Sequence, residues 1–551
     1  MEKVRRDAGD RAGAGYSTEL VERERRRGIV EGLKTLGLAL LSALLFSLAF
    51  PSIVSDWGWF PLGFIALAPL FVAVHRCRWP AVFPLGFLTG FATYSLFNYW
   101  LINFHPLSIL IVPVIYAVYF VVLLPVLKLA DTLFPRYGYL VQALVWLGYE
   151  YLRIQGFLGY AYGIIGYSQY TFTPLIQISS VFGVWGVSAL VVFPSAYLAA
   201  AVKDGFGGFV PFVRRHRIDL AVYGVVFAAT MVFGAVSPVN YEGSRNLRVA
   251  LVQQNVDPWI GGTSAYRRSL DILLRQSRLA MEEDPEMVVW SETSFIPAIR
   301  FHDQFRQDPE RTALVKELTD YLDEQPVPFV IGNGDAQLER DAEGNLRRID
   351  YNSVLLYDQG ELVETYRKTH LVPFTEHFPY RDQFPWLYDL LVENNTAFWG
   401  EGEDFTIFEA AGVRFATPIC FEDTFGYISR RFVNEGAEII VNLTNDSWSK
   451  SVPAAMQHMA MAVFRAVENR RSMVRSTNGG MTTIIDPNGT IVDMYPAFVE
   501  GYLIGDVPIY TGTDTVYTAA GNWAAIVFLV AALSLLTFGA VRAVVVRIRA
   551  R

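Results

Sequence analysis

Apolar residues run almost unbroken through seven stretches of the first 237 positions: 35–51, 57–75, 80–101, 106–128, 138–153, 179–202 and 218–237. An eighth stretch lies at 521–541. A helix needs about 20 apolar residues to cross some 30 Å of hydrocarbon, so the pattern predicts eight membrane spans. The first stretch is short and basic-flanked, like a signal peptide. SLAFP is a poor cleavage site and six further runs follow, so a retained span is expected.

Between residues 238 and 518 the pattern changes. NLRVALVQQNV (246–256) predicts a strand, SAYRRSLDILLRQSRLAMEE (264–283) an amphipathic helix, MVVW (287–290) a short buried strand and ERTALVKELTDYLDEQ (310–325) a second helix. Strands are expected within 327–334, 352–368 and 404–420, with hairpin turns at DQGE and AAG; the last ends in Cys420. Helices at 422–434 and 454–471 flank a strand at 437–445. Further strands within 472–492 turn back at Pro487-Asn488-Gly489. Strands alternating with helices imply a layered α/β domain.

Composition agrees with this division. Hydrophobic residues make up 52% and mean hydropathy is +0.27, too apolar for an ordinary soluble chain of 551 residues. Residues 238–518 hold 24 Lys+Arg and 42 Asp+Glu, a balance of −18, while the remainder holds 22 and 12, a balance of +10. An acidic middle between basic flanks argues against nucleic acid as a partner. Basic residues recur in alternate loops: Arg23, Arg25, Arg26 and Arg27; Arg76 and Arg78; Lys128 and Arg136; Lys203, Arg214, Arg215 and Arg217; Arg542, Arg547 and Arg549. The positive-inside rule then places both termini in the cytoplasm and residues 238–518 outside. The expected organisation is a basic tail (1–33), a seven-span domain (34–237), an outer domain (238–518) and a closing span with a basic tail (519–551). Glu150, at one span end, is expected to be structural, with Arg153 as its candidate partner.

Three polar residues stand where predicted strands run out: Glu292 in WSETSFIP, Lys368 in YRKTHLVPFTEHFP and Cys420 in RFATPICFED. Taken singly, a strand-end Cys is more often a small buried hydrophobe, and a Glu or Lys a surface charge. Together they can form a covalent acyl-transfer site. Cys420 attacks as thiolate, Glu292 takes its proton, and Lys368 stabilises both the thiolate and the oxyanion. GxSxG and nucleotide-binding glycine motifs are absent, as is any metal-ligand spacing, and no cofactor is expected. Of seven histidines, His370, His377 and His458 fall near these motifs; Cys77, the other cysteine, is assigned no role.

Glu, Lys and Cys in this chain order, within these motifs, resemble the nitrilase or carbon–nitrogen hydrolase superfamily over roughly 246–510. The resemblance implies an αββα sandwich, with Glu376 orienting the lysine or assisting the base. With the spans included, VQQN, LVPFTEHFP, ICFED, NLTNDSW, PAAMQH and FRAVENRRSMVRSTNGG resemble the apolipoprotein N-acyltransferase family of the bacterial inner membrane. That resemblance implies a phospholipid acyl donor, a cysteine thioester, and a diacylglyceryl apolipoprotein whose N-terminal α-amine accepts the chain. It also adds Glu422 to the site and makes Asn445 and Trp448 candidates for lipid contact. The apolar segment 378–399, with Trp386 and Trp399, is a further candidate for shielding the thioester and docking the chain. SKSVPAAMQH, STNGG and QQN depart from the family's usual pattern at loops bordering the expected lipid pocket. The alternative is a membrane-bound amidase or nitrilase acting on a small amide, which needs one tethering span rather than seven.

Overall fold

The computed structural model describes residues 2–104, 108–340, 344–393 and 398–550, with side chains from Glu22 onward. The start of the span expected at 106–128 and part of segment 378–399 lie outside the described residues.

Among the described residues, six helices are long and apolar enough to cross a membrane: Glu22–Ala49 (the end of a helix beginning at Glu2), Trp79–Phe97, Ser108–Leu133, Val184–Val202, Arg217–Val236 and Trp523–Arg549. Two expected spans are shorter. The 57–75 stretch becomes a broken helical run, Phe60–Arg76, and 138–153 becomes Gly138–Leu152. The stretch at 179–202 divides at Gly183, whose φ of 64° ends the short helix Ser179–Phe182 before Val184–Val202 begins. An apolar run reports burial in lipid or protein, not helix continuity, so periodicity alone missed this break. Glu150 and Arg153 interact through their charges and not through a direct hydrogen bond. Glu150 Oε1 instead accepts from Trp146 Nε1 (3.1 Å) and the Ile165 amide (2.8 Å). Arg153 Nη1 donates to Tyr116 Oη (2.9 Å) and the Tyr162 carbonyl (2.9 Å).

Among the described residues, the following domain contains twelve strands: β1 (Asn246–Gln253), β2 (Met287–Trp290), β3 (Phe329–Arg340), β4 (Leu346–Asp358), β5 (Glu361–Arg367), β6 (Phe408–Ala410), β7 (Val413–Ala416), β8 (Ile439–Asn445), β9 (Ser472–Asn478), β10 (Thr482–Ile485), β11 (Ile491–Tyr495) and β12 (Gly501–Pro508). They form two six-stranded sheets, ordered β12-β1-β2-β3-β4-β5 and β11-β10-β9-β8-β7-β6. The strand β12 had no sequence expectation; it returns antiparallel to β1, pairing Asn246 with Pro508 through to Gln253 with Gly501.

Alternation along β1 shows how the layers form. Leu247, Val249 and Leu251 join the core between the sheets, while Ala250 and Val252 face the helices Thr263–Met281 and Pro309–Asp323. The sheets are also tied by polar contacts: Ser476 Oγ donates to the Val289 carbonyl (3.1 Å) and Thr477 Oγ1 to Gln253 Oε1 (3.0 Å). On the other flank, helices Gly426–Asn434 and Val452–Asn469 cover the second sheet, and the core here continues into the membrane helices. Val452–Asn469 is buried at every position from Pro453 to Asn469. Gln457 accepts from Trp100 Nε1 (3.1 Å) and donates to the Pro51 carbonyl (2.8 Å), while Arg465 donates to Tyr167 Oη (3.0 Å).

Candidate active site

The two sheets bring Glu292, Lys368, Glu376 and Cys420 together where strands end and loops begin, a common placement for reacting groups. Glu292 lies two residues beyond β2, Lys368 directly follows β5, and Cys420 lies in the loop after β7. The strand expected to end at Cys420 stops at Ala416, because ATP breaks the ladder at Pro418. A single bridge, Ile419 to Leu443, keeps the loop parallel to β8. Cys420 itself opens a 3₁₀ turn, Cys420–Thr424, at a φ of 48°. The helix expected from 422 starts later, at Gly426. Thr293 has a φ of 42° and Phe374 one of 63°. Left-handed backbone at a β-branched or bulky residue is uncommon and costs energy, so these loops are held in place by their surroundings.

Polar contacts supply that restraint. Glu292 Oε1 accepts from Asn352 Nδ2 (2.7 Å), and Oε2 from the Asn445 amide (2.9 Å). Lys368 Nζ lies 2.9 Å from Glu376 and 3.5 Å from Glu292 Oε1. Glu376 in turn accepts from the Val372 amide (2.8 Å) and from Asn352 (3.3 Å). Glu422, fully buried, clamps the lysine loop to the cysteine loop: it accepts from Tyr366 Oη (2.8 Å), the amides of Thr369 (2.8 Å) and His370 (3.0 Å), and the Ile419 amide (2.7 Å).

Burial controls the protonation states. It raises the Cys420 thiol well above its ordinary range; the Glu292 charge adds to this and Lys368 opposes it. Burial also raises Glu292, against the pull of Lys368. For Lys368 burial opposes the charge, but Glu376 and then Glu292 outweigh it and keep the ammonium protonated. Cys420 therefore rests as the thiol beside Glu292, with a fixed positive charge next to both. Moving the thiol proton to Glu292 creates a thiolate that Lys368 stabilises.

Sequence reasoning passed over two parts of this network. Asn352 holds both glutamates, and its signal was a polar residue opening an apolar strand. His458 bridges Asp423 (2.8 Å) and Asp446 (2.9 Å), with Arg475 paired to Asp423. Burial disfavours its charge, but the two aspartates prevail and raise His458 to about 9. These contacts tie the cysteine loop to the loop after β8. The signals were NDSW and QH, whose partners are distant in sequence.

Cys420 and Glu292 open into a cavity of about 420 Å³, within the usual range for small-molecule sites of roughly 300–1,000 Å³. Its walls are largely apolar and come partly from the membrane helices, including Trp100, Leu101, Ile111, Val112, Ile115 and Tyr116. Asn445, Trp448 and Trp399 line it as well. Asn445 uses its backbone amide on Glu292, while its side chain accepts from Ser447 Oγ (2.7 Å). Trp448 packs against Trp100 and Phe104. Trp386 is not brought to the cavity. It stands 65% exposed on the helix Pro385–Glu393, on the surface and away from this cavity.

Comparison with known proteins matches residues 248–515 to the carbon-nitrogen hydrolase family and residues 42–197 to the apolipoprotein N-acyltransferase N-terminal domain. An amidase of the nitrilase superfamily from Nesterenkonia AN1, solved as a mutant, aligns with 48% of this chain and 92% of its own at 19% identity and a TM-score of 0.34. Apolipoprotein N-acyltransferase 1 of Treponema denticola is 42% identical over 503 residues, covering 88% of this chain and 92% of the relative. Its namesake in Treponema pallidum is 42% identical over 525 residues, covering 92% and 95%. With both halves matched and relatives this similar along nearly the whole length, the chain belongs to the apolipoprotein N-acyltransferase family.

Proposed function

We infer that this chain is an N-acyltransferase that moves an acyl chain from a membrane phospholipid to the N-terminal α-amine of a diacylglyceryl apolipoprotein. The observation carrying this reading is that the thiol opens into an apolar cavity walled by membrane helices. A small-amide hydrolase has no use for such walls.

In the first half-reaction Glu292 takes the Cys420 proton and the thiolate attacks the ester carbonyl. Lys368 stabilises the oxyanion, and the glycerol oxygen leaves with the proton from Glu292. In the second, the acceptor amine attacks the thioester and loses its proton to Glu292. The C–S bond breaks, and that proton returns to the sulfur. Glu376 keeps Lys368 charged, and Glu422 holds the two loops in register. Trp399 and Trp448 shield the thioester from water. The alternating basic loops support cytoplasmic termini and a catalytic domain, residues 238–518, at the outer face.

The test is intact mass of the purified chain after incubation with a defined phospholipid, with Cys420→Ala alongside. An acyl adduct is expected on wild type only, discharged when a diacylglyceryl-cysteine peptide is added and gains the chain. No adduct on folded wild type would transfer the weight to amide hydrolysis.

A further inference from the structure

We infer that Tyr116 sets the length of the acyl chain that the catalytic cavity accepts. The chain lies along the helix Ser108–Leu133, and its methyl end stops at this ring. The inference rests on the acyl-transfer reading and adds to it the residue that selects the donor. The lining of the cavity defines its depth. That helix contributes Ser108, then Ile111 and Val112, then Ile115 and Tyr116, in rows about one turn apart. From the first row to the last is about 12 Å, at some 1.5 Å per residue. The helix begins beside the catalytic domain, where Asn103 just before it donates to the Ser449 carbonyl (2.6 Å). It runs away from that domain, and near its other end Lys128 Nζ donates to the Val74 carbonyl (3.0 Å). Tyr116 is therefore the deepest residue that this helix gives to the cavity.

The next row of the helix closes the path. Tyr119 lines a different groove, with Leu529 and Leu533. Phe120, one turn beyond Tyr116, is buried, and Tyr94, Trp146 and Tyr149 stand edge-on around its ring. The space below Tyr116 is thus filled with aromatic rings. Tyr116 itself is held on every side. Its ring stacks on Tyr94 at a centroid distance of 3.6 Å, and its Oη accepts from Arg153 Nη1 (2.9 Å). Its backbone is fixed as well. A Cβ at Gly90 would lie 2.7 Å from the Tyr116 carbonyl oxygen, so the bare glycine lets the helix Trp79–Phe97 press directly on this point. A close-packed wall resists an added methylene, because making room for it forces side chains off their preferred rotamers. A chain that reaches Tyr116 fills the cavity and excludes water, and a longer one must leave its end unburied or displace a ring that has nowhere to go.

The test is single-turnover acylation of Cys420 in the full-length protein, read by intact mass. The donors are phosphatidylglycerols with two identical saturated chains, an even-numbered ladder from lauroyl to arachidoyl, all presented in the same detergent. Wild type should show a threshold length beyond which the rate falls about tenfold. Tyr116→Ala should move that threshold to longer chains. Tyr116→Phe, which keeps the ring and loses only the contact with Arg153, should keep the wild-type threshold. Val112→Phe places a ring one turn nearer the thiol and leaves Tyr116 intact, so it guards against misfolding of the alanine variant. It should move the threshold down by about four methylenes, the length of one 5.4 Å turn. Equal rates for every chain on wild type would overturn the inference. So would an unmoved threshold in folded Tyr116→Ala, a shift in Tyr116→Phe as large as in Tyr116→Ala, or equal slowing of all lengths in Val112→Phe. Failure of the acyl-transfer reading would look different: no thioester on wild type with any chain, which would remove this inference with it.

Discussion

The two halves of the catalytic sandwich share one architecture and differ in what covers them. The sheet β12-β1-β2-β3-β4-β5 is closed by its own amphipathic helices, and Leu270, Leu273, Leu314 and Leu318 complete a core that belongs to this half alone. The sheet β11-β10-β9-β8-β7-β6 is closed by Val452–Asn469, whose far side meets membrane helices, so its core and theirs are continuous. Chemistry divides along the same line. The first half carries Glu292, Asn352 and Lys368; the second carries Cys420, Glu422 and His458. On the proposed mechanism, proton handling then falls to the half closed by its own helices, and the nucleophile to the half whose core continues into the membrane helices.

The largest effects should come from separating the two contributions. Cys420→Ala removes the thioester entirely, whereas Glu292→Gln, which keeps the shape and loses the base, should slow acylation by about 10²–10⁴-fold in single-turnover assays. Because burial holds Glu292 above the ordinary carboxylate range, acylation in wild type should fall as pH drops through that raised value. Equal, complete loss in both variants would erase the division of labour. Next, Leu318→Ala should cost about 2–5 kcal/mol. Hydrogen exchange should rise in Thr263–Met281 and Pro309–Asp323 while Val452–Asn469 stays protected; loss of protection in all three would break the comparison. On the other half, His458 titrates near 6.5 when unfolded and about 9 when folded. Its contribution, roughly 3 kcal/mol, is complete below pH 6.5 and is lost as pH rises through 9. Thermal denaturation of His458→Gln should lack that alkaline slope. The smallest effect is expected at the junction: Gln457→Leu leaves Trp100 Nε1 and two backbone carbonyls unmet and should lower stability by about 1–3 kcal/mol.

Much of this was legible in the sequence where a physical period or a motif stated it directly. Short apolar runs found β1 and β2, and helical spacing found Thr263–Met281 and Pro309–Asp323 within two residues. Glu292, Lys368 and Cys420 were legible because a thiol, a carboxylate and an amine at strand ends are mutually explanatory. Long-range closure was not legible. The strand β12 declares itself only against β1, some 250 residues earlier. Asp423, Asp446 and His458 lie on different elements and meet only after folding. Nor did the sequence place Trp386, since an exposed tryptophan and a pocket tryptophan look alike in an apolar segment. Cys420 was expected at a strand's end because FATPIC is apolar, but Pro418 and the backbone turn place it in a loop.

One contact sets an order of assembly. Gly148 has no side chain, and a Cβ there would lie 3.1 Å from Leu529 Cδ1; the closing helix Trp523–Arg549 packs against Gly138–Leu152 at that point. Its docking seat is thus made hundreds of residues before the helix itself is synthesised. During translation the whole sandwich is made before the last helix can reach this seat and lock it. A nascent chain stalled before Trp523 would leave the Gly148 face of Gly138–Leu152 without its partner helix.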